Sequence, residues 1–235
     1  MLGEDLPVDW TSVRDAYGPA TGVPELLHRV AADNHDDEAW QDLWGRLCHQ
    51  GTVYSASFAA LPYLARLATE AAPAGYEDAL HLLAAIAAST DVASDCADTR
   101  ANYATEFSDG ALIASRNLAL AQSDTEFLYG LAALAGLERE GDWANIFSAI
   151  SDGELLVACP LCGEDVWVLG EDAARAGDGR LSPADNTSDL AGLAERYCQL
   201  ARRHGRPGVA EAIITVTRPA CCSACGAAFS PTSSA

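Results

Sequence analysis

The chain has 235 residues, 49% of them hydrophobic and 20% charged, which fits a globular protein able to bury its own core and excludes a fibrous or disordered one. Its formal charge of −20 comes from 34 acids against 14 basic residues, all of them arginine. Such a surface repels phosphate backbones, so nucleic acid is disfavoured as a partner and encounter with a basic protein is favoured.

The acidity is concentrated in the first part of the chain, where residues 1–150 hold 23 acids against 7 arginines, while residues 151–235 hold 11 against 7. The opening stretch, Met1 to Trp10, has neither the basic region nor the apolar run of an export signal. The longest apolar runs, Phe58 to Leu67 and Gly130 to Leu137, fall short of the roughly 18 residues a membrane span needs. A cytoplasmic protein without a membrane span is expected.

Helical patterns follow one another from Val8 to Ile150, and strand signals are nearly absent there. Pro24 sits at a first helical turn ahead of Leu26, Leu27, Val30 and Ala31, and the Asp33 to Asp37 cluster closes that helix and caps the next. Trp40, Leu43, Trp44 and Leu47 then recur at the i, i+3, i+4, i+7 spacing of a one-sided helix. After a turn at His49-Gln50-Gly51, the run Tyr54 to Thr69 predicts a helix kinked at Pro62. Further helices are predicted at Tyr76 to Ala88, at Asp98 to Gln122 with a break at Asp109-Gly110, at Thr125 to Glu140 with Asp124 as its N-cap, and at Trp143 to Ile150.

Amphipathic helices joined by short loops pack as antiparallel pairs, either in a row as an α-solenoid or as a compact bundle. The run Leu47-Cys48-His49-Gln50-Gly51-Thr52-Val53-Tyr54-Ser55-Ala56-Ser57, followed by Ala59-Ala60-Leu61-Pro62, resembles a signature of bacterial proteins with HEAT-like helical repeats. The likeness is close over Trp40 to Leu67 and loose over the rest of the helical half. It implies a protein-binding scaffold, with an immunity-like role as one concrete form, and it implies no chemistry.

After Gly153 the texture changes. Leu155 to Ala158 and Val166 to Leu169 are β-like and flank a first Cys-x-x-Cys pair. Gly170 to Ser188 predicts a mobile loop, Ser188 to His204 a helix ended by Gly205 to Gly208, Ala212 to Thr217 a strand, and the tail from Pro231 a frayed end. The domain boundary is therefore expected near residue 152, with an all-α domain of residues 1–152 and a second module of residues 153–235 whose helical insert spans about 188–205.

Cys159-Pro160-Leu161-Cys162-Gly163 and Cys222-Ser223-Ala224-Cys225-Gly226 repeat one pattern. A Cys-x-x-Cys turn brings two thiolates to one ion, and two such turns complete the tetrahedral shell that Zn2+ favours, so Cys159, Cys162, Cys222 and Cys225 are the expected zinc ligands. The pattern resembles a zinc ribbon, which implies a structural or adhesive role. It departs from that family in spacing, since 59 residues lie between Cys162 and Cys222 where about 15–20 are usual. A dithiol redox centre is the alternative use of the same thiols.

Cys221 breaks the x-x spacing and is set aside, and Cys48, Cys96 and Cys198 are expected to pack as small apolar residues. Cys48-His49 is a weak nucleophile candidate, because adjacent residues on a helix diverge by about 100°. No catalytic residue is assigned. The fold class expected is mainly α, a HEAT-like solenoid or bundle followed by a zinc-ribbon-like β module. The function expected is non-enzymatic binding of a protein partner of basic character. The alternatives are a zinc-thiolate redox sensor or oxidoreductase and, third, a nucleic-acid-binding ribbon served by Arg196, Arg202, Arg203, Arg206 and Arg218.

Overall fold

The computed structural model describes residues 8–73, 77–170 and 192–233. Over these residues the chain is mainly α-helical, with nine α-helices and nine short strands among the described residues. Contacts divide it into two compact units, Met1–Leu120 with Ala133–Gly141, and Ala121–Ala132 with Asp142–Ala235. The boundary expected near residue 152 falls at the end of α7, inside the second unit.

In the first unit, β1 (Arg14–Asp15) and β2 (Gly18–Pro19) form a small antiparallel hairpin. α1 (Val23–Ala32) starts with a proline in its first turn, where a missing N–H costs nothing, and buries Val23, Leu26, Leu27 and Val30. The acidic cluster caps α2 (Asp37–Leu47): the Asp36 carboxylate accepts the Ala39 N–H at 3.1 Å. Arg29, on the last turn of α1, reaches the same carboxylate at 2.8 Å.

The His49-Gln50-Gly51 turn closes a hairpin of β3 (Cys48–His49) and β4 (Thr52–Val53), with Gln50 at φ 51° and Gly51 at φ 89°. Positive φ at both loop positions is the two-residue turn that matches strand twist. β5 (Asp91–Val92) adds to β4 in parallel. These strands of two residues are too short to print an alternating pattern, which is why the sequence reads as helix only. α3 (Ser55–Ala71) continues through Pro62, and its Ser57 side chain accepts the Tyr54 N–H at 2.8 Å while donating to the Leu47 carbonyl, tying the start of α3 to the end of α2. α4 (Asp78–Ala88) is capped by Glu77.

α5 (Ala104–Asn117) corrects the expected break at Asp109-Gly110. The helix runs straight through Gly110, where a Cβ would meet Leu83 at 3.0 Å and Leu137 at 3.1 Å, so the glycine serves close packing rather than a turn. α6 (Asp124–Leu137) corrects the expected cap. Asp124 is its first helical residue, and Ser123 holds the cap position, with its hydroxyl accepting the Glu126 N–H at 3.1 Å.

In the second unit, α7 (Gly141–Asp152) leads into the antiparallel hairpin of β6 (Leu155–Ala158) and β7 (Asp165–Leu169). The expected loop Gly170 to Ser188 and the start of the expected helix at 188 lie, from residue 171 to 191, outside the described residues. α8 (Leu193–Arg203) buries Ala194, Tyr197, Cys198, Leu200 and Ala201. Tyr197, fully buried, meets Phe147 edge-on at 4.9 Å and Trp143 at 5.4 Å.

The expected strand Ala212 to Thr217 is instead the end of a helix, α9 (Pro207–Thr217). Its β-branched run favours a strand locally, but Pro207 pre-sets the first turn and Val209, Ala210, Ile213, Ile214 and Val216 form a buried face packed on α8. Propensity yields to burial here. The strand before the second cysteine pair is β8 (Ala220–Cys221), paired antiparallel with β9 (Ala228–Phe229). The tail expected to fray forms a 3-10 turn over Pro231–Ser233, with Pro231 buried.

Candidate metal centre

Each Cys-x-x-Cys turn sits at the end of one β-hairpin, and the two hairpins follow the same register. Ala158 pairs with Asp165 and Cys221 pairs with Ala228, the same span seven residues wide in each. The Cys159 N–H donates to the Glu164 carbonyl at 2.8 Å and the Cys222 N–H to the Ala227 carbonyl at 2.9 Å. The Gly163 N–H returns to the Cys159 carbonyl at 2.9 Å, and the Gly226 N–H to the Cys222 carbonyl at 2.8 Å. Gly163 at φ 76° and Gly226 at φ 73° occupy the left-handed region that a side chain disfavours, which accounts for the glycine closing both turns.

This repetition brings the four sulfurs together. Cys159, Cys162, Cys222 and Cys225 place their Sγ atoms within 4.8 Å of one another, with Cys159 to Cys225 at 3.7 Å and Cys162 to Cys222 at 3.6 Å. These separations are far beyond the roughly 2.05 Å of a disulfide. They match instead the edge of a tetrahedron of thiolates around one ion, which is about 3.8 Å for a metal–sulfur bond of about 2.3 Å. The four cysteines can hold a metal ion. No protein-family model, curated protein or solved structure matches the chain. The chemistry of the centre is therefore read from its own residues.

Cys159 and Cys222, the first of each pair, are buried, and Cys162 and Cys225 are exposed. Backbone N–H groups point at the sulfurs. Those of Leu161 and Cys162 lower the Cys159 thiol to about 7. The Glu164 N–H pulls on Cys162 in the same sense, but the crowding thiols and desolvation outweigh it and push Cys162 up to about 12. The Ala227 N–H acts on Cys225 as Glu164 does on Cys162, and Cys225 also ends above its ordinary value. Four such groups cannot all be thiolates without a cation, since two unit charges 3.7 Å apart repel by about 4 kcal/mol even at an effective dielectric constant near 20. A dication removes that repulsion.

The remaining cysteines stand apart from the cluster. Cys221, half-buried in β8, contributes no sulfur to it. Cys198 is buried, as core packing requires, with its sulfur 3.6 Å from the Ala210 carbonyl. Cys48 lies in β3 rather than on a helix, half-buried, and burial pushes its thiol up to about 11, away from a nucleophile's range. Its neighbour His49 faces Tyr17, ring centroids 5.7 Å apart. The backbone donors at Leu161, Glu164 and Ala227 were not legible in the sequence as site residues. The glycine at the fifth position of each motif was their only trace.

Proposed function

We propose that the chain is a non-enzymatic, protein-binding scaffold whose second unit is stapled by one structural Zn2+ on Cys159, Cys162, Cys222 and Cys225. The observation that carries the zinc reading is the approach of the four sulfurs to within 4.8 Å of one another, with two pairs at 3.7 and 3.6 Å. Four soft thiolates in that arrangement suit Zn2+ better than hard cations. A closed set of four protein ligands leaves no open position for a substrate, which favours a structural over a catalytic role. Two hairpins with matched turns support a zinc-ribbon-like module, and the short-looped helices before it support the HEAT-like reading.

The binding role rests on charge. A formal −20 without lysine favours encounter with a basic protein and weakens with salt. Native mass spectrometry of the purified chain is expected to show one zinc, and the immobilised zinc-loaded chain to retain a basic model protein at low salt and release it as ionic strength rises. A metal-free, fully folded chain sinks the zinc reading, and retention that salt does not reverse sinks the binding reading.

A further inference from the structure

The two hairpins serve as an internal control for each other. Adding 63 to a residue number carries the first onto the second: Cys159 onto Cys222, Gly163 onto Gly226, the pair Ala158 with Asp165 onto Cys221 with Ala228. Both backbones make the same turn with the same hydrogen bonds. Any difference between their exposed side chains is therefore not demanded by the turn or by the sulfurs.

The difference is large. Leu161 at the tip of the first turn is 77% exposed, and its counterpart is Ala224. Leu156, on the outward face of β6, is 43% exposed, and its cross-strand partner on that face is the half-buried Trp167. Their counterparts are Pro219 and Ser230. Val157, Val166 and Val168 on the opposite face are buried and supply the hairpin's core contacts, so the outward pair is not needed for that. Two large exposed leucines and a half-buried tryptophan on one short hairpin are a concentration of apolar surface of the kind that marks contact sites.

The charged side chains of the hairpin and its approach are all acidic. Asp152, Glu154, Glu164 and Asp165 are exposed, and no arginine, lysine or histidine occurs in residues 151–170. The positions matching Glu164 and Asp165 on the second hairpin are Ala227 and Ala228. Exposed apolar groups on a segment whose charges are all negative suit a partner that offers an apolar ridge flanked by cations.

We infer that the first hairpin, through Leu156 and Trp167 on its outward face and Leu161 at its tip, is a docking surface for a basic amphipathic segment of another protein. The inference rests on the protein-binding reading above and locates the contact on the β6–β7 hairpin rather than on the acidic helices. The turn holds Leu161 out, and a metal in the cluster fixes the turn.

The test uses the full zinc-loaded chain and two synthetic amphipathic peptides, one of leucine and arginine and one of leucine and glutamate. Hydrogen exchange is expected to slow over residues 154–169 with the arginine peptide alone. Leu161→Ser is expected to weaken that binding about tenfold or more, with Ala224→Ser, at the matching site of the second turn, leaving it unchanged. Zinc stoichiometry of each variant separates a lost contact from a lost fold. Protection on the helices with residues 154–169 unchanged overturns this inference and leaves the scaffold reading standing. Failure to bind either peptide sinks both. Self-association of the chain alone that Leu161→Ser abolishes would make a second copy the occupant and overturn the basic partner.

Discussion

Removing the metal, by a chelator or by Cys222→Ser, is expected to destabilise the second unit by an amount that follows from chain length. The two cysteine turns close a loop that holds 59 residues between Cys162 and Cys222, and α8 and α9 lie inside it. Bringing the two turns onto one ion closes a loop whose entropic cost is about 4 kcal/mol at 25 °C, a cost that the metal–sulfur bonds offset in the folded unit and that falls on its other contacts once the ion is gone. Against a typical stability of about 5–15 kcal/mol, that is roughly a quarter to four fifths of the whole. Urea unfolding followed by the fluorescence of the tryptophans, which include Trp143 and Trp167 of this unit, should therefore show a lowered midpoint on chelation, with Cys159→Ser and Cys222→Ser alike and Cys221→Ser unchanged. Release of one equivalent of zinc with the midpoint unmoved would refute the view that the ion staples the loop.

Three further outcomes are expected. Gly136→Ala places a Cβ 2.8 Å from the Ala84 carbonyl oxygen, a backbone atom that cannot step aside, so the stability measured by urea unfolding should fall by about 1–3 kcal/mol despite the helix propensity gained. Arg206 bonds Asp124 at 3.2 Å and the Ala121 carbonyl and lies 6.0 Å over Phe127, so Arg206→Ala should cost about 1 kcal/mol and Arg206→Lys, lacking the planar fork, should recover little of it in the same assay. The third concerns pH. Burial raises the Glu77 carboxyl from its ordinary 4.5 to about 6, against the pull of the Leu80 and Ala79 N–H groups, so its contribution to stability is lost as pH rises through that window. Burial lowers His81 from 6.5 to about 4, so its contribution is lost as pH falls through its own window. The two slopes oppose each other between pH 4.5 and 6. Glu77→Gln should therefore make the melting temperature climb more steeply from pH 4.5 to 6 than in the parent chain, by the equivalent of about 2 kcal/mol, and parallel curves would refute the assignment.

What the sequence discloses depends on whether the deciding interaction is local. The Asp33 to Asp37 cluster as a cap, which the structure narrows to Asp36, Pro24 in a first turn and the spacing of Trp40, Leu43 and Leu47 are settled within a few residues, and each was readable. Ser123 and Asp124 both cap well, and only the geometry of the Glu126 N–H separates them. Gly110 carries a helix breaker's signal, but Leu83 and Leu137, distant in sequence, decide that the helix continues. The run Ile213 to Thr217 has a strand's composition, and its burial against α8 decides for a helix. Long-range packing wins each of these cases.

The cysteines are the exception that makes the site legible. Four residues in two short motifs print a distant contact into local spacing, because each turn must be built whole before the two meet. The matching register of the hairpins was less legible, since only Cys-x-x-Cys-Gly survives in both while every outward position differs. That divergence carries information of its own. The shared residues form the turns and bring the four sulfurs together. The positions that differ, Leu156 against Pro219, Leu161 against Ala224 and Trp167 against Ser230, are those the turns and sulfurs do not constrain, and it is there that the proposed docking surface sets the first hairpin apart from the second.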